Sequence, residues 1–109
     1  MTRHGSVIGL RPEGKARYLE LHREGWPGVL AALTAAGIRN YSIFLKEPED
    51  LLFGYFEYVG NDFAADQARL AEDPLTQEWQ RLVGPLQKPL ETRAPGEWWA
   101  GLGEIFHLP

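Results

Sequence analysis

Hydrophobic and polar positions alternate along the chain in two periods, and the switches between them mark the elements. His4–Leu10, "HGSVIGL", reads as a first strand. Arg11-Pro12-Glu13-Gly14 is a turn, with Pro12 suited to the first turn of a helix. The helix runs on through about Arg23, with Ala16, Leu19 and Arg23 on one face and Tyr18 and His22 on another. Pro27 cannot continue the ladder, so it kinks this helix or starts a new one. Val29, Leu30, Leu33 and Ala36 then recur at helical spacing, and Gly37 stops the run. "NYSIFL", Asn40–Leu45, returns to strand alternation, and "LLFGYFEY", Leu51–Tyr58, follows after a short polar turn. Phe63–Ala71 is helical with Asn61 or Asp62 as its N-cap. Asp73 caps a further helix that begins at Pro74 and ends near Val83. Residues 84–101 are rich in proline and glycine and read as irregular, and "EIFHLP" reads as a closing strand.

The order β-α-β-β-α-β predicts an α+β chain with an antiparallel sheet on the ferredoxin-like plan, as one domain over residues 1–109. In the third element Leu51, Phe53 and Tyr55 fall on one face while Leu52 and Phe56 fall on the other. Both faces of the sheet are therefore apolar, and the helices cover only one. A second sheet from an identical chain would cover the other, which predicts a homodimer of the dimeric α/β-barrel type. Folding back of the proline-rich segment is the competing way to cover it.

Composition narrows the function classes. With 44% apolar residues the chain has enough material for a core without staples. It has no cysteine, which excludes a disulfide framework, thiolate zinc sites and thiol catalysis. The N-terminus has no apolar run of signal or membrane-spanning length, so the expected location is the cytoplasm, with no membrane partner. A net charge of −4 and scattered basic residues argue against nucleic acid. Four Trp, four Tyr and five Phe fit either a core of large side chains or a ring-bearing ligand such as a sugar, for which indole offers a flat apolar face. His4, His22 and His107 have no metal-ligand spacing, and neither metal nor cofactor is expected.

The chemistry-bearing stretch is "YLELHREGWP". Tyr18 and His22 sit one helical turn apart, and Trp26 follows between the helix breakers Gly25 and Pro27. His22 is the candidate acid–base group, because its free pKa lies near neutrality. The alternative is a histidine on a solvent-facing helix surface. The break after Arg23 opens a concave corner for a ligand. Glu57, on the face of Phe53 and Tyr55, either lies in water at the strand end or works, paired or with a raised pKa, in a site. Trp79 is either core or a stacking platform. Of the adjacent Trp98 and Trp99, one is expected over the core and the other over a site or a dimer seam.

Taken together, "YLELHREGWPGVLAALTAAGIRNYSIFL", "LLFGYFEY", "DPLTQEWQ" and "EIFHLP" resemble the L-rhamnose mutarotase family over nearly the whole chain. The resemblance implies a cofactor-free dimer of ferredoxin-like fold that interconverts the α and β anomers of a 6-deoxy-L-hexose. It implies His22 as proton donor and Tyr18, Tyr41 and Trp79 as substrate contacts. Trp26 and Glu57 join them as candidate substrate-binding residues, with Glu57 or water as the base opposite His22. Gln80 departs from the family pattern, which usually has a second Trp there. "FEYVGNDFAAD" reads like the branch linked to L-fucose, so L-rhamnose is the first expected sugar and L-fucose the second. A non-catalytic sugar-binding module and a cofactor-free oxygenase are the competing functions on this fold.

Overall fold

The computed structural model describes residues 1–109. Strand β1 (Thr2–Leu10) leads through a single 3₁₀ turn into helix α1 (Lys15–Glu24) and then α2 (Pro27–Ala35). Strands β2 (Ile38–Lys46) and β3 (Leu51–Tyr58) form a hairpin, followed by α3 (Phe63–Glu72) and α4 (Pro74–Val83). Two short strands, β4 (Gln87–Lys88) and β5 (Ala100–Leu102), complete the sheet. The antiparallel order is β2-β3-β1-β4, with β5 also paired to β1. This is the ferredoxin-like order, with each helical crossover divided into two helices.

Local chemistry sets the element ends. Gly25 takes φ +64°, a conformation that glycine adopts without steric cost, and so closes α1. Pro27 then starts α2 at a position where no N–H is needed. Asp62 caps α3 by accepting from the Ala65 N–H, and Asp73 caps α4 by accepting from that of Thr76. A Cβ at Gly28 would collide with Leu75, so this glycine lets α2 approach α4 closely.

The helices lie on one face of the sheet. Between them is the core of Ile8, Leu10, Tyr18, Leu21, Leu52 and Val83, with Ile43, Leu45, Trp79 and Trp99 packed against it. A second cluster of Ala36, Ile38 and Tyr58 closes the far end. The core face of α1 is thus Tyr18 and Leu21, and Ala16 and Arg23 point to solvent. Alternation along β3 is as expected: Leu52 is 1% exposed and its neighbour Phe53 is 37% exposed. Phe44, opposite Phe53 in the ladder, is 64% exposed. The proline-rich segment does not fold over this outer face.

The closing strand is corrected. Residues 103–109 have no regular structure, and the last strand is Ala100–Leu102. The cause is register. Leu102 pairs with Gly5, so three residues further on Ile105 reaches the level of Thr2, where β1 begins. The apolar tail outruns its neighbour and has no ladder to join. Its start is tied down instead by Arg3, whose Nε donates to Glu104 Oε1 at 2.7 Å. The short strand β4 was hidden in the proline-rich stretch, because two residues give no period to read.

Candidate active site

The break between α1 and α2 shapes a cavity of about 340 Å³ on the helix side of the sheet. Its walls are His22, Gly25 and Trp26 from the break, Val29, Leu30 and Leu33 from α2, Tyr41 and Ile43 from β2, and Trp79 from α4. The sequence candidates His22, Trp26, Tyr41 and Trp79 therefore meet in one place. The Trp26 and Trp79 rings meet edge to face at 5.2 Å between centroids, and His22 meets Trp79 edge-on at 5.0 Å. No carboxylate, lysine or arginine lines this cavity. Such a lining suits an uncharged ligand with both apolar faces and hydroxyls.

His22 is held by the main chain. Its Nδ1 lies 2.8 Å from the Tyr18 carbonyl oxygen, one turn back on α1. A carbonyl only accepts, so Nδ1 carries the proton and Nε2 of the neutral ring has a free lone pair. Burial lowers the His22 pKa, and the carbonyl contact opposes this with the smaller effect. At neutral pH the ring is thus a neutral base. The same side chain remains open to solvent, as a group at the mouth of a concave site must be.

Tyr18 is not on the cavity wall. It is 2% exposed, with its ring tilted against His22 at 4.2 Å between centroids. Its hydroxyl accepts a hydrogen bond from the Gln87 amide at 3.3 Å, and Gln87 Oε1 accepts from Trp98 Nε1 at 2.7 Å. Burial pushes the Tyr18 phenol up to about 12, so it stays protonated. Tyr41, by contrast, faces the cavity with 43% of its surface open, and burial of the rest raises its pKa. Sequence reasoning missed Gln87. A buried glutamine in a two-residue strand has no signal beyond its own polarity.

Glu57 is not brought to this cavity. It pairs across the ladder with Arg3 on the outer face, while its neighbour Phe56 points inward. Asn40 Nδ2 donates to its Oε1 at 2.6 Å and the Tyr55 hydroxyl donates to its Oε2 at 2.8 Å. These hydrogen bonds lower its pKa, the reverse of the raised value a buried site would have caused. His4 is also elsewhere, stacked between Phe56 and Phe63 with Nε2 2.8 Å from Thr2 Oγ1. No group of three His, Asp or Glu side chains has a geometry that could hold a metal ion. Trp99 packs on the core, and Trp98 is 45% exposed.

Fold and site together define a ferredoxin-like α+β protein with a neutral histidine in an uncharged aromatic cavity. The family model for L-rhamnose mutarotase matches residues 3–108, so the chain belongs to the L-rhamnose mutarotase family. An L-rhamnose mutarotase of Listeria monocytogenes is 36% identical over 99% of both chains. An L-fucose mutarotase of Xanthomonas campestris is 41% identical over 85% of this chain and 75% of its own. The crystal structure of an L-rhamnose mutarotase from Formosa agariphila covers both chains fully with a TM-score of 0.78 at 23% identity, a likeness of fold.

Proposed function

We propose that the protein is a mutarotase that interconverts the α and β anomers of a 6-deoxy-L-hexose, with L-rhamnose the first choice and L-fucose the second. The observation that carries this reading is a neutral His22, its Nδ1 held by the main chain and its side chain on the wall of an uncharged cavity that Trp26, Tyr41 and Trp79 also line. Names of relatives of both kinds support the sugar class.

The reaction moves one proton and breaks one bond. His22 Nε2 takes the proton from the anomeric hydroxyl O1 while the C1–O5 bond breaks and O1 becomes the aldehyde oxygen. The imidazolium then gives that proton to O5. Both oxygens sit on C1 in the ring, so one nitrogen can serve both. Rotation about C1–C2 and the reverse sequence close the ring with the other configuration. Nothing is oxidised or reduced, and no cofactor enters the balance. His22 is thus base first and proton donor second, and the scheme has no need of Glu57. General acid–base help of this kind is worth ~10²–10⁴-fold. Trp79 and Trp26 pack the sugar's C–H faces and methyl group, and Tyr41 offers a hydroxyl. Tyr18 acts through His22, as a positioning residue beneath it.

We also propose a homodimer through the outer sheet face, where Phe44 and Phe53 stand exposed; Ile105 of the apolar tail is also 99% exposed. A single domain over the full 109 residues and a cytoplasmic location complete this reading, the cysteine-free composition suiting a reducing compartment. No helix is long and apolar enough to cross a membrane.

Saturation-transfer NMR on L-rhamnose and L-fucose side by side tests the activity. Anomer exchange above the buffer rate for at least one sugar is the expected result. Exchange at the buffer rate for both would overturn the mutarotase reading.

A further inference from the structure

A main-chain oxygen holds His22 at Nδ1, but the tilt of the ring depends on what it lies against, and beneath it is the Tyr18 phenol at 4.2 Å between centroids. That phenol is fixed at both ends. Its Cα belongs to α1, and its hydroxyl accepts from Gln87 Nε2. Close backbone contact brings Gln87 there. The Arg11 N–H donates to the Leu86 carbonyl at 2.9 Å, and Gln87 and Lys88 pair with Leu10 and Gly9 at the end of β1. A Cβ at Gly9 would stand 2.6 Å from the Lys88 carbonyl oxygen, and one at Gly14 would stand 2.9 Å from the Leu86 side chain. These two glycines let residues 86–88 lie against β1 and the start of α1.

The amide is oriented as well as placed. An indole N–H only donates, so the Trp98 contact at 2.7 Å ends on Gln87 Oε1. The amide nitrogen is then the atom turned to Tyr18, and the phenol oxygen receives its hydrogen. This donation opposes the effect of burial on the phenol. Gln87 is 3% exposed, so bulk water does not stand ready to replace it. Trp98, on the segment between β4 and β5, is by contrast partly open to solvent. The contacts Trp98–Gln87–Tyr18–His22 therefore run from the surface to the proton carrier. Among the cavity lining and the ring beneath His22, the only other titratable groups are the phenols of Tyr18 and Tyr41.

We propose that Gln87, oriented by Trp98, is a positioning residue for the proton transfer: it anchors the Tyr18 phenol and so fixes the surface on which the His22 imidazole rests. This rests on the mutarotase reading of His22. Gln87 does not line the cavity, and it carries no proton. Without its amide the phenol is free to swing, the imidazole loses its backing, and Nε2 spends less time aligned with the anomeric oxygens. Misplacement by about 1 Å can cost ~10²-fold, so a ring loosened on one side but still tied at Nδ1 should lose about tenfold.

The test reads the imidazole apart from the rate. Heteronuclear NMR on the sugar-free protein follows the tautomer and titration midpoint of His22, and anomer exchange at varied sugar concentration separates kcat from KM. Gln87→Met keeps the volume without the amide. It is expected to lower kcat about tenfold with KM within about twofold. It should also move the imidazole midpoint up toward the ordinary histidine value, as water reaches the loosened ring. In a Tyr18→Phe background there is no hydroxyl to anchor, so the same change should leave the midpoint where Tyr18→Phe alone puts it. If Gln87→Met fails to fold by circular dichroism, Trp98→Phe decides. It removes the N–H that orients the amide, and kcat about threefold lower with the midpoint raised is expected. Wild-type kcat and midpoint in the deciding variant overturn the proposal, as does a Gln87→Met midpoint shift of equal size with and without the Tyr18 hydroxyl. Exchange at the buffer rate in the wild type would remove the mutarotase reading, and the sugar-free midpoints would still decide whether Gln87 positions His22.

Discussion

The two faces of the sheet use similar residues to opposite ends. On the helix side, Tyr41, Trp79 and His22 enclose a hollow with no charged wall. On the outer side, Tyr55 and Glu57 join Asn40 in a closed set of hydrogen bonds, and Arg3 is spent on Glu104. An acidic residue whose hydrogen bonds are already satisfied is held in its charged form and makes a poor proton carrier. A histidine whose one nitrogen is fixed and whose other is free makes a good one. The difference teaches that titratable chemistry in this fold is set by what is left unpaired. The mere presence of an acid on a strand says little.

The sharpest way to break this contrast is to exchange the roles of His22 and Glu57. His22→Ala is expected to lower the enzyme-accelerated anomer exchange ~10²–10⁴-fold while circular dichroism stays that of the folded protein. Glu57→Gln should leave exchange within about threefold, because general acid–base losses of the ~10²-fold size or more require the proton carrier itself. Loss of exchange in Glu57→Gln with His22→Ala unaffected would reverse the assignment of the faces.

Adjacent residues on β3 give the next effect. Leu52→Ala should cost ~2–5 kcal/mol in urea unfolding, since it empties a fully packed site. Phe53→Asp should change monomer stability far less and instead weaken self-association, seen as a smaller species by sedimentation velocity. An unchanged sedimentation coefficient would count against the outer face as the dimer seam.

Gln87→Leu lies between the two. It removes the amide that serves both Tyr18 and Trp98, and leaving buried polar groups without partners costs ~1–3 kcal/mol. A stability equal to wild type would show that these groups find partners without it.

The smallest effect is the pH profile. Burial makes the folded-state pKa of His22 lower than its unfolded value, so the folded protein gives up that proton earlier as pH rises. Exchange should therefore climb through a midpoint below the ordinary histidine value and stay level above it. Stability has the same sign: it is fully present above the unfolded pKa and falls as pH drops through the histidine range. An imidazole titration followed by NMR with a midpoint above the ordinary value would contradict both.

Much of this was legible in the residues. The alternation of Leu51–Tyr58 showed its two faces, because a strand has a strict period of two. Gly25, Pro27, Asp62 and Asp73 announced helix ends through backbone chemistry that acts locally. The meeting of His22, Trp26, Tyr41 and Trp79 was less accessible, since it depends on how α2 and α4 approach over Gly28. Face was legible for Glu57, but its partners were not: Asn40 comes from another strand, beside a shift in register between Arg39 and Ser42. Tyr18 was placed one turn from His22 correctly, yet only three dimensions show that its hydroxyl turns toward Gln87. The closing strand failed because apolar alternation says nothing of whether a neighbour is there to pair with.

The hydrogen bond from His22 to the Tyr18 carbonyl has a consequence for descent. Many histidines that carry protons are oriented by an acidic side chain, and a single codon change in that acid disables them. Here the orienting oxygen belongs to the peptide group, so every amino acid at position 18 that keeps the helix brings it along. Substitutions there can erode the packing beneath the ring, but they cannot delete the acceptor. Over long divergence the tautomer of this histidine is inherited with the helix, and the residue four places before it is free to be selected for something else.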